Sequence, residues 1–463
     1  MSQKPSRPVG LVIATLALSG AVVSLMQTLL VPIIPDIPNL LGVTVDDASW
    51  LITATLLASA VATPSLSKLA DMFGKRRMMI VSLLMMIAGS VLGALSLSLP
   101  LLITARALQG FSMALIPIGI SIMRDEIPRE KLVFSVALMS ATMGIGAAIG
   151  LPVGGLIYST LGWHGIFWVP AVIAVMMLVA IVVVIPESSI VSGGIFDFGG
   201  GLLLSGALLS LLIAVTKGST WGWTSLTTVG TFALSAGLVA CWVPWELRSR
   251  DPLVDLRTSA LRPVLLTNIA SLLVGFAMYA NMISTTQLLQ VPKSSRYGFG
   301  LTVLEAGMAL LPAALMMVIA APISARITSR FGAKTALIFG ALILGLGYTG
   351  RSLFISSEWE IIVGAMVISM GTAVAYAAMP TIIMSAVPIT ETAAANGFNT
   401  VVRTIGTATS SAVIATTLTG TTFLVGGTLF PQLFAFQEIF IGAGVASFLG
   451  AIVAAWLPKR NAA

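Results

Sequence analysis

The sequence predicts an all-α membrane protein: fourteen transmembrane helices, arranged as two six-helix pseudo-repeat bundles plus an inserted helix pair. Three observations predict it. Of the 463 residues 57% are hydrophobic and only 9% are charged, with a mean hydropathy of +1.03, whereas soluble domains carry about 25% charged residues. Apolar runs near the length a bilayer core demands, about 20 residues, recur from end to end. Cations are segregated between alternate connecting segments.

Six runs make the first bundle: 10–33, 48–67, 78–98, 101–123, 133–158 and 164–185. The runs 198–216 and 226–245 form the inserted pair. The second bundle takes 264–288, 302–324, 335–354, 359–384, 398–423 and 434–457. In lipid every backbone polar group must be satisfied internally, so runs of this length are helices. The first run is too long for a signal-peptide core and lacks a small-residue cleavage site, so no leader is expected.

With the N-terminus inside, eighteen of the 24 Lys and Arg fall in segments on the cytoplasmic side, among them Lys68, Lys75, Arg76, Arg77, Arg124, Arg129 and Lys131. Only Lys217, Lys293, Arg296 and Arg351 fall outside, and Arg106 and Arg403 lie within spans. This bias sets both termini in the cytoplasm and the chain in the cytoplasmic membrane. It also accounts for the net charge of +7 without nucleic acid. Trp163, Trp221, Trp223 and Trp359 are placed at outer interfaces. The single Cys241 can form no internal disulfide.

Phe73-Gly74-Lys75-Arg76 recurs as Phe331-Gly332-Ala333-Lys334, each copy between the second and third span of a half. The repeat divides the chain into an N-terminal bundle at 1–186, a linker with the inserted helices at 187–262, and a C-terminal bundle at 263–463.

Three motifs stand out. Ser67 to Arg77 packs Asp71, a turn glycine at Gly74, and Lys75, Arg76 and Arg77 into one loop. Arg106 lies in the fourth span, followed by Gln109 and Gly110; an arginine there costs about 2.5–3.5 kcal/mol and calls for a cavity or a partner, or for snorkelling outward. The fifth span carries Gly146, Gly150, Pro152, Gly154 and Gly155, small residues that let helices approach closely.

Together these motifs resemble the major facilitator superfamily, and within it the fourteen-helix drug:proton antiporter branch. Ser67 replaces the usual first glycine of the loop signature, and Leu151 separates the Gly-Pro of the span 5 signature. The resemblance implies that Asp71 meets the N-terminal end of span 13 near Ala395 and Asn396, latching the cytoplasmic side. It implies that Arg106 couples protonation to the transport cycle, and that the span 5 glycines seal or rock between the halves.

One departure matters. Members of that branch carry an acid in a Leu-Asp-x-Thr pattern in span 1; here the stretch reads Leu25-Met26-Gln27-Thr28. Asp36, open to pairing with Arg106, and Glu305 are the nearest candidate proton carriers. Residues expected to line a substrate cavity are Gln27, Thr28, Gln109, Asn268, Tyr279, Asn281, Tyr376 and Arg403. No metal spacing, phosphate-binding glycine loop or nucleophile triad occurs, so no cofactor or enzyme activity is expected. The expected function is a monomeric secondary exporter of amphipathic, cationic or neutral compounds with inward proton flow. An uncoupled transporter of one metabolite or lipid, and a non-transporting receptor, are the alternatives.

Overall fold

The computed structural model describes residues 8–458 apart from 189, 296 and 426–427. Lys4, Arg7, Arg296, Lys459 and Arg460, which entered the charge count, lie outside the described residues. The long helices are α1 (Val9–Thr28), α2 (Val45–Phe73), α3 (Lys75–Leu95), α4 (Leu99–Glu126) and α5 (Arg129–Val184). They continue as α6 (Phe198–Trp221), α7 (Leu226–Arg248), α8 (Arg262–Gln290), α9 (Val303–Phe331) and α10 (Ala333–Leu353). The last three are α11 (Glu358–Ala386), α12 (Thr392–Gly420) and α13 (Leu433–Ala455).

Local chemistry sets the ends. α2, α9 and α11 each begin with a capping box, Thr44 with Asp47, Thr302 with Glu305, and Ser357 with Glu360, which satisfies backbone donors that a first turn leaves free. α2 passes to α3 through Gly74 at φ 119°, and α9 to α10 through Gly332 at φ 86°. Both copies of the sequence repeat thus use a glycine where other residues would be strained.

Twelve helices among the described residues are long and apolar enough to cross a membrane, against the fourteen expected. The difference has two origins. The expected fifth and sixth spans are assigned as the single helix α5, although Gly162 at φ 68°, ψ −167° interrupts its helical backbone. α12, threaded with Thr, Ser and Asn, is not among the twelve.

Other expectations need correction. A two-stranded antiparallel hairpin, β1 (Thr422–Val425) with β2 (Thr428–Pro431), stands between α12 and α13. Trp163 is packed among neighbouring helices at 5% exposure. Two of the cations assigned to outer loops are buried as well. Lys217 bonds Asp46 at 2.6 Å and Ser49 at 2.9 Å, and Arg351 bonds Asn281 at 2.7 Å. A charge this far inside needs such partners.

α6 lies across the seam between α2 and α12. Leu57 and Ala60, Leu212 and Val215, and Ala408 and Ala412 form one apolar cluster there.

Candidate functional site

The chemistry concentrates in two places: the face of the bundle that carries the Lys75–Arg77 turn, here the basic face, and the interior between α5, α8, α11 and α12.

At the basic face Asp71 occupies the last turn of α2, 1% exposed. Its Oδ2 accepts from the Ala394 N–H at 2.8 Å and its Oδ1 from Ala393 at 3.3 Å. Both amides lie in the first turn of α12, where they have no intrahelical acceptor, and the helix dipole there favours an anion. Arg124, at the end of α4, reaches the same segment. It donates to Thr392 Oγ1 at 2.6 Å, Val387 O at 3.1 Å and Pro388 O at 3.3 Å.

The cations of the loop do something else. Lys75 is fully buried and pairs with Asp125 at 2.5 Å, which also accepts from Ser188 Oγ at 2.6 Å. The Arg76 backbone N–H donates to Glu187 at 3.2 Å, its side chain donates to Val182 O, and Arg77 lies 3.7 Å from Glu187. Ser192 N–H donates to Asp71 O at 2.7 Å. The 185–197 segment is therefore strapped across the α2–α3 turn. A Cβ at Gly74 would displace the Glu187 carboxylate, 2.7 Å away, while the positive φ is what calls for glycine at this position.

Arg106 is 3% exposed. Its Nε donates to Leu51 O at 3.0 Å, and its Nη1 to Gln109 Oε1 at 2.8 Å and Met26 O at 3.5 Å. Gln109 in turn donates to Ser90 at 2.9 Å. Arg106 therefore does not snorkel; it ties α4 to α1 and α2. Met26, at the position of the missing acid, offers it a backbone carbonyl. Asp36 is exposed and makes no ion pair with Arg106. Glu305 is exposed and engaged in its capping box.

Of the fifth-span glycines singled out in the sequence, Gly146, Gly150 and Gly154 pack toward the first helix rather than the opposite bundle. Cβ atoms at Gly146 and Gly150 would strike Ala21 and Thr28 of α1, and one at Gly154 would strike Leu29 just past its end, whereas one at Gly155 meets nothing within 4 Å. The stripe seats α5 on α1. Contact with α9 comes instead from Gly144 beside Met317 and from Leu151 and Pro152 beside Gly307. Four-residue spacing identifies a close-packing face but not the helix that occupies it.

Of the expected cavity residues, Asn281 lines a small cavity of about 70 Å³ with Met143, Met278, Met282, Met317 and Thr372. Tyr376 lies one turn beyond Thr372, with Arg403 stacked on its ring at 4.9 Å. Asn399 Nδ2 donates to Asn268 Oδ1 at 2.8 Å. Gln27 and Thr28 stay with α1, near Met113 and Gly150, and Gln109 belongs to the Arg106 cluster. Tyr279 is half-buried. Sequence reasoning missed Arg124, Asp125 and Glu187. The signal for Arg124 and Asp125 was the Arg124-Asp125-Glu126 run at a helix end, which offered opposite charges to the Lys75 loop.

Membrane-length helices and polar bonds between segments more than 300 residues apart fit a multi-pass membrane transporter rather than an enzyme, and the family match agrees. The chain belongs to the Major Facilitator Superfamily, whose family model matches residues 16–411 and again 299–463. It is 29% identical over 391 residues to the multidrug resistance protein Stp of Mycobacterium tuberculosis, covering 83% of this chain and 71% of that protein. It is 28% identical over 408 residues to the tetracenomycin C resistance and export protein of Streptomyces glaucescens, covering 86% and 74%. Among solved structures, the human organic anion transporter MFSD10 superposes with a TM-score of 0.68 over 98% of this chain and 100% of that one, at 16% identity; at that identity the likeness is one of fold.

Proposed function

We propose that this protein is a secondary exporter of amphipathic small organic compounds, of the multidrug type, working by alternating access in the cytoplasmic membrane. The basic face is cytoplasmic in this reading, with both termini on that side. Fourteen crossings follow if α5 passes the membrane twice around Gly162 and α12 crosses once. Residues 1–186 and 263–463 then form the two moving bundles, with α6 and α7 inserted at 187–262.

One observation carries the mechanism. Among the described residues Asp71 is attached to α12 by a pair of hydrogen bonds to backbone amides, joined by Arg124 on the Val387–Thr392 segment. Such a contact is made or lost as a unit, and so suits a two-state gate. Asp71, Gly74, Lys75, Arg76 and Arg77 close the cytoplasmic side, Arg106 braces α1, α2 and α4, and the α5 glycines keep α5 and α1 moving together. Transport is coupled to inward proton flow, with Asp36 or Glu305 as carrier and Arg106 as the coupling residue. The export named for the tetracenomycin C protein supports the direction, and the multidrug resistance named for Stp supports the substrate type.

A second reading, transport with little or no proton coupling, is favoured by one fact: Asp36 and Glu305 are exposed and separate from Arg106. Substrate-induced proton release from the solubilised protein separates the two. Release that disappears in Asp36→Asn or Glu305→Gln establishes antiport. Substrate binding with no release refutes it and leaves the uncoupled transporter.

A further inference from the structure

The acids of this chain keep clear of the membrane interior. All seventeen Asp and Glu lie in connecting segments or within about two turns of a helix end. Arg403 does not. It stands eleven residues into α12, about 16 Å along a helix rising 1.5 Å per residue. Tyr376 stands ten residues from the same-side end of α11, about 15 Å in. Both are therefore near the middle of a core about 30 Å thick.

Arg403 is 8% exposed and Tyr376 2%. Among the described residues Arg403 makes one side-chain hydrogen bond, a 3.4 Å contact to Thr400 Oγ1. The ring of Tyr376 lies beneath the guanidinium, yet its hydroxyl is buried with no partner. A guanidinium has five N–H donors and no acceptor, so the pair presents unused donors and an uncompensated charge at one depth. The polar neighbours Asn268 and Asn399 are bonded to each other and carry no charge. The site lies behind the seam between bundles. Ser140 of α5 donates to Tyr376 O at 3.3 Å, and Ala137 and Ala141 pack against Ala321 and Ala377. Parting that seam at the basic face opens a path to it.

We propose that Arg403 and Tyr376 bind the anionic head of an amphipathic substrate, a carboxylate or a group of like charge and geometry, entering from the basic face. The inference rests on the exporter reading and narrows its substrate class to anions, against the cationic or neutral compounds expected from the sequence. A planar guanidinium grips a carboxylate with two parallel bonds, and the Tyr376 hydroxyl supplies a third. The incoming anion supplies the charge that the interior lacks. A cationic head would meet Arg403 with no carboxylate at that depth to hold it.

The test uses three fluorescent probes that share one body: pyrenebutyrate, its methyl ester and pyrenebutylamine. Binding to the purified full-length protein is read by quenching, and uptake is read in inside-out vesicles against protein-free controls. The expected result is tightest binding of the carboxylate. Arg403→Gln then lowers its affinity at least tenfold, Arg403→Lys and Tyr376→Phe lower it less, and the affinity for the ester stays within twofold. Preference for the amine, no carboxylate binding by the wild type, or an equal loss for all three probes in Arg403→Gln overturns the anion site. Tyr376→Phe, which keeps the ring, decides the matter if Arg403→Gln does not fold. Carboxylate binding without uptake keeps the anion site and sinks the exporter reading; amine uptake does the reverse.

Discussion

Replacing Asp71 by Asn tests the latch at its narrowest point. The carboxylate accepts two backbone N–H groups of α12 while 1% exposed. An amide of the same shape can keep one of these through its oxygen, but then turns an NH₂ toward the other N–H. A hydrogen bond to a charged group contributes about 1.5–3 kcal/mol net. Losing one and weakening the other therefore costs the closed state about 2 kcal/mol. At 1.4 kcal/mol per factor of ten, the open population should rise about 30-fold. Ser67 reports on this. It is fully buried and lies against Gly397 of α12, so Ser67→Cys places a thiol inside the closed seam with little change in volume. The exposed Cys241 must first be replaced by Ser. Modification of the Ser67→Cys thiol by a membrane-impermeant maleimide should then quicken about 30-fold when Asp71→Asn is added. An unchanged rate in a protein of unchanged melting temperature would show that Asp71 does not hold the bundles together.

Three further outcomes follow from the same geometry. Lys75→Met should lower stability by about 3–5 kcal/mol, because it strands a buried Asp125; adding Asp125→Leu should restore most of it, as read by thermal melting in detergent. Gly146→Val should destabilise by about 1–3 kcal/mol through collision with the α1 backbone, while Gly155→Ala, facing open space, should melt like the wild type. Arg106→Lys keeps the charge but cannot reproduce both the Leu51 and Gln109 bonds. At about 1–3 kcal/mol for that loss, maximal transport rate should fall about 10- to 100-fold, with little change in substrate affinity.

The parts of this molecule that were readable in advance are those where one residue has one physical outlet. A lone carboxylate in a short basic loop, followed by a glycine, had to end one helix and start another, and Asp71 and Gly74 do so. Partner choice was not readable. The glycines of α5 define a face by their spacing, yet nothing in that spacing says α1 rather than α9. Arg351 and Lys217 looked like loop cations because hydropathy places span ends only to within a few residues. In the folded chain each lies inside that margin and finds a partner, Asn281 or Asp46. Arg124 and Asp125 were hidden by their own neighbourhood. Charges at a helix end on the basic side are expected on topological grounds, so their contacts with Thr392 and Lys75 needed the fold to appear.

Helices α6 and α7 pose a mechanical question that their bonds answer. α6 touches both α2 and α12 through one apolar cluster, so it cannot follow both when the seam opens. The polar bonds break the tie. Lys217 on α6 is fixed to α2 by Asp46 and Ser49 and lies 4.9 Å over the Trp50 ring. Between the α6–α7 hairpin and α12 the polar link among the described residues is a single 3.1 Å bond from Trp223 to Thr416. Apolar surfaces of similar shape can slide at small cost, whereas a buried ammonium cannot leave its acceptors without a desolvation penalty. α6 should therefore travel with α2. Spin labels on α6 and α2 should keep their separation when Asp71→Asn opens the latch, while labels on α6 and α12 should move apart. A constant α6–α12 distance with a changing α6–α2 distance would assign the pair to the other bundle, and would reduce the Lys217 bond to a local surface contact worth about 1 kcal/mol or less.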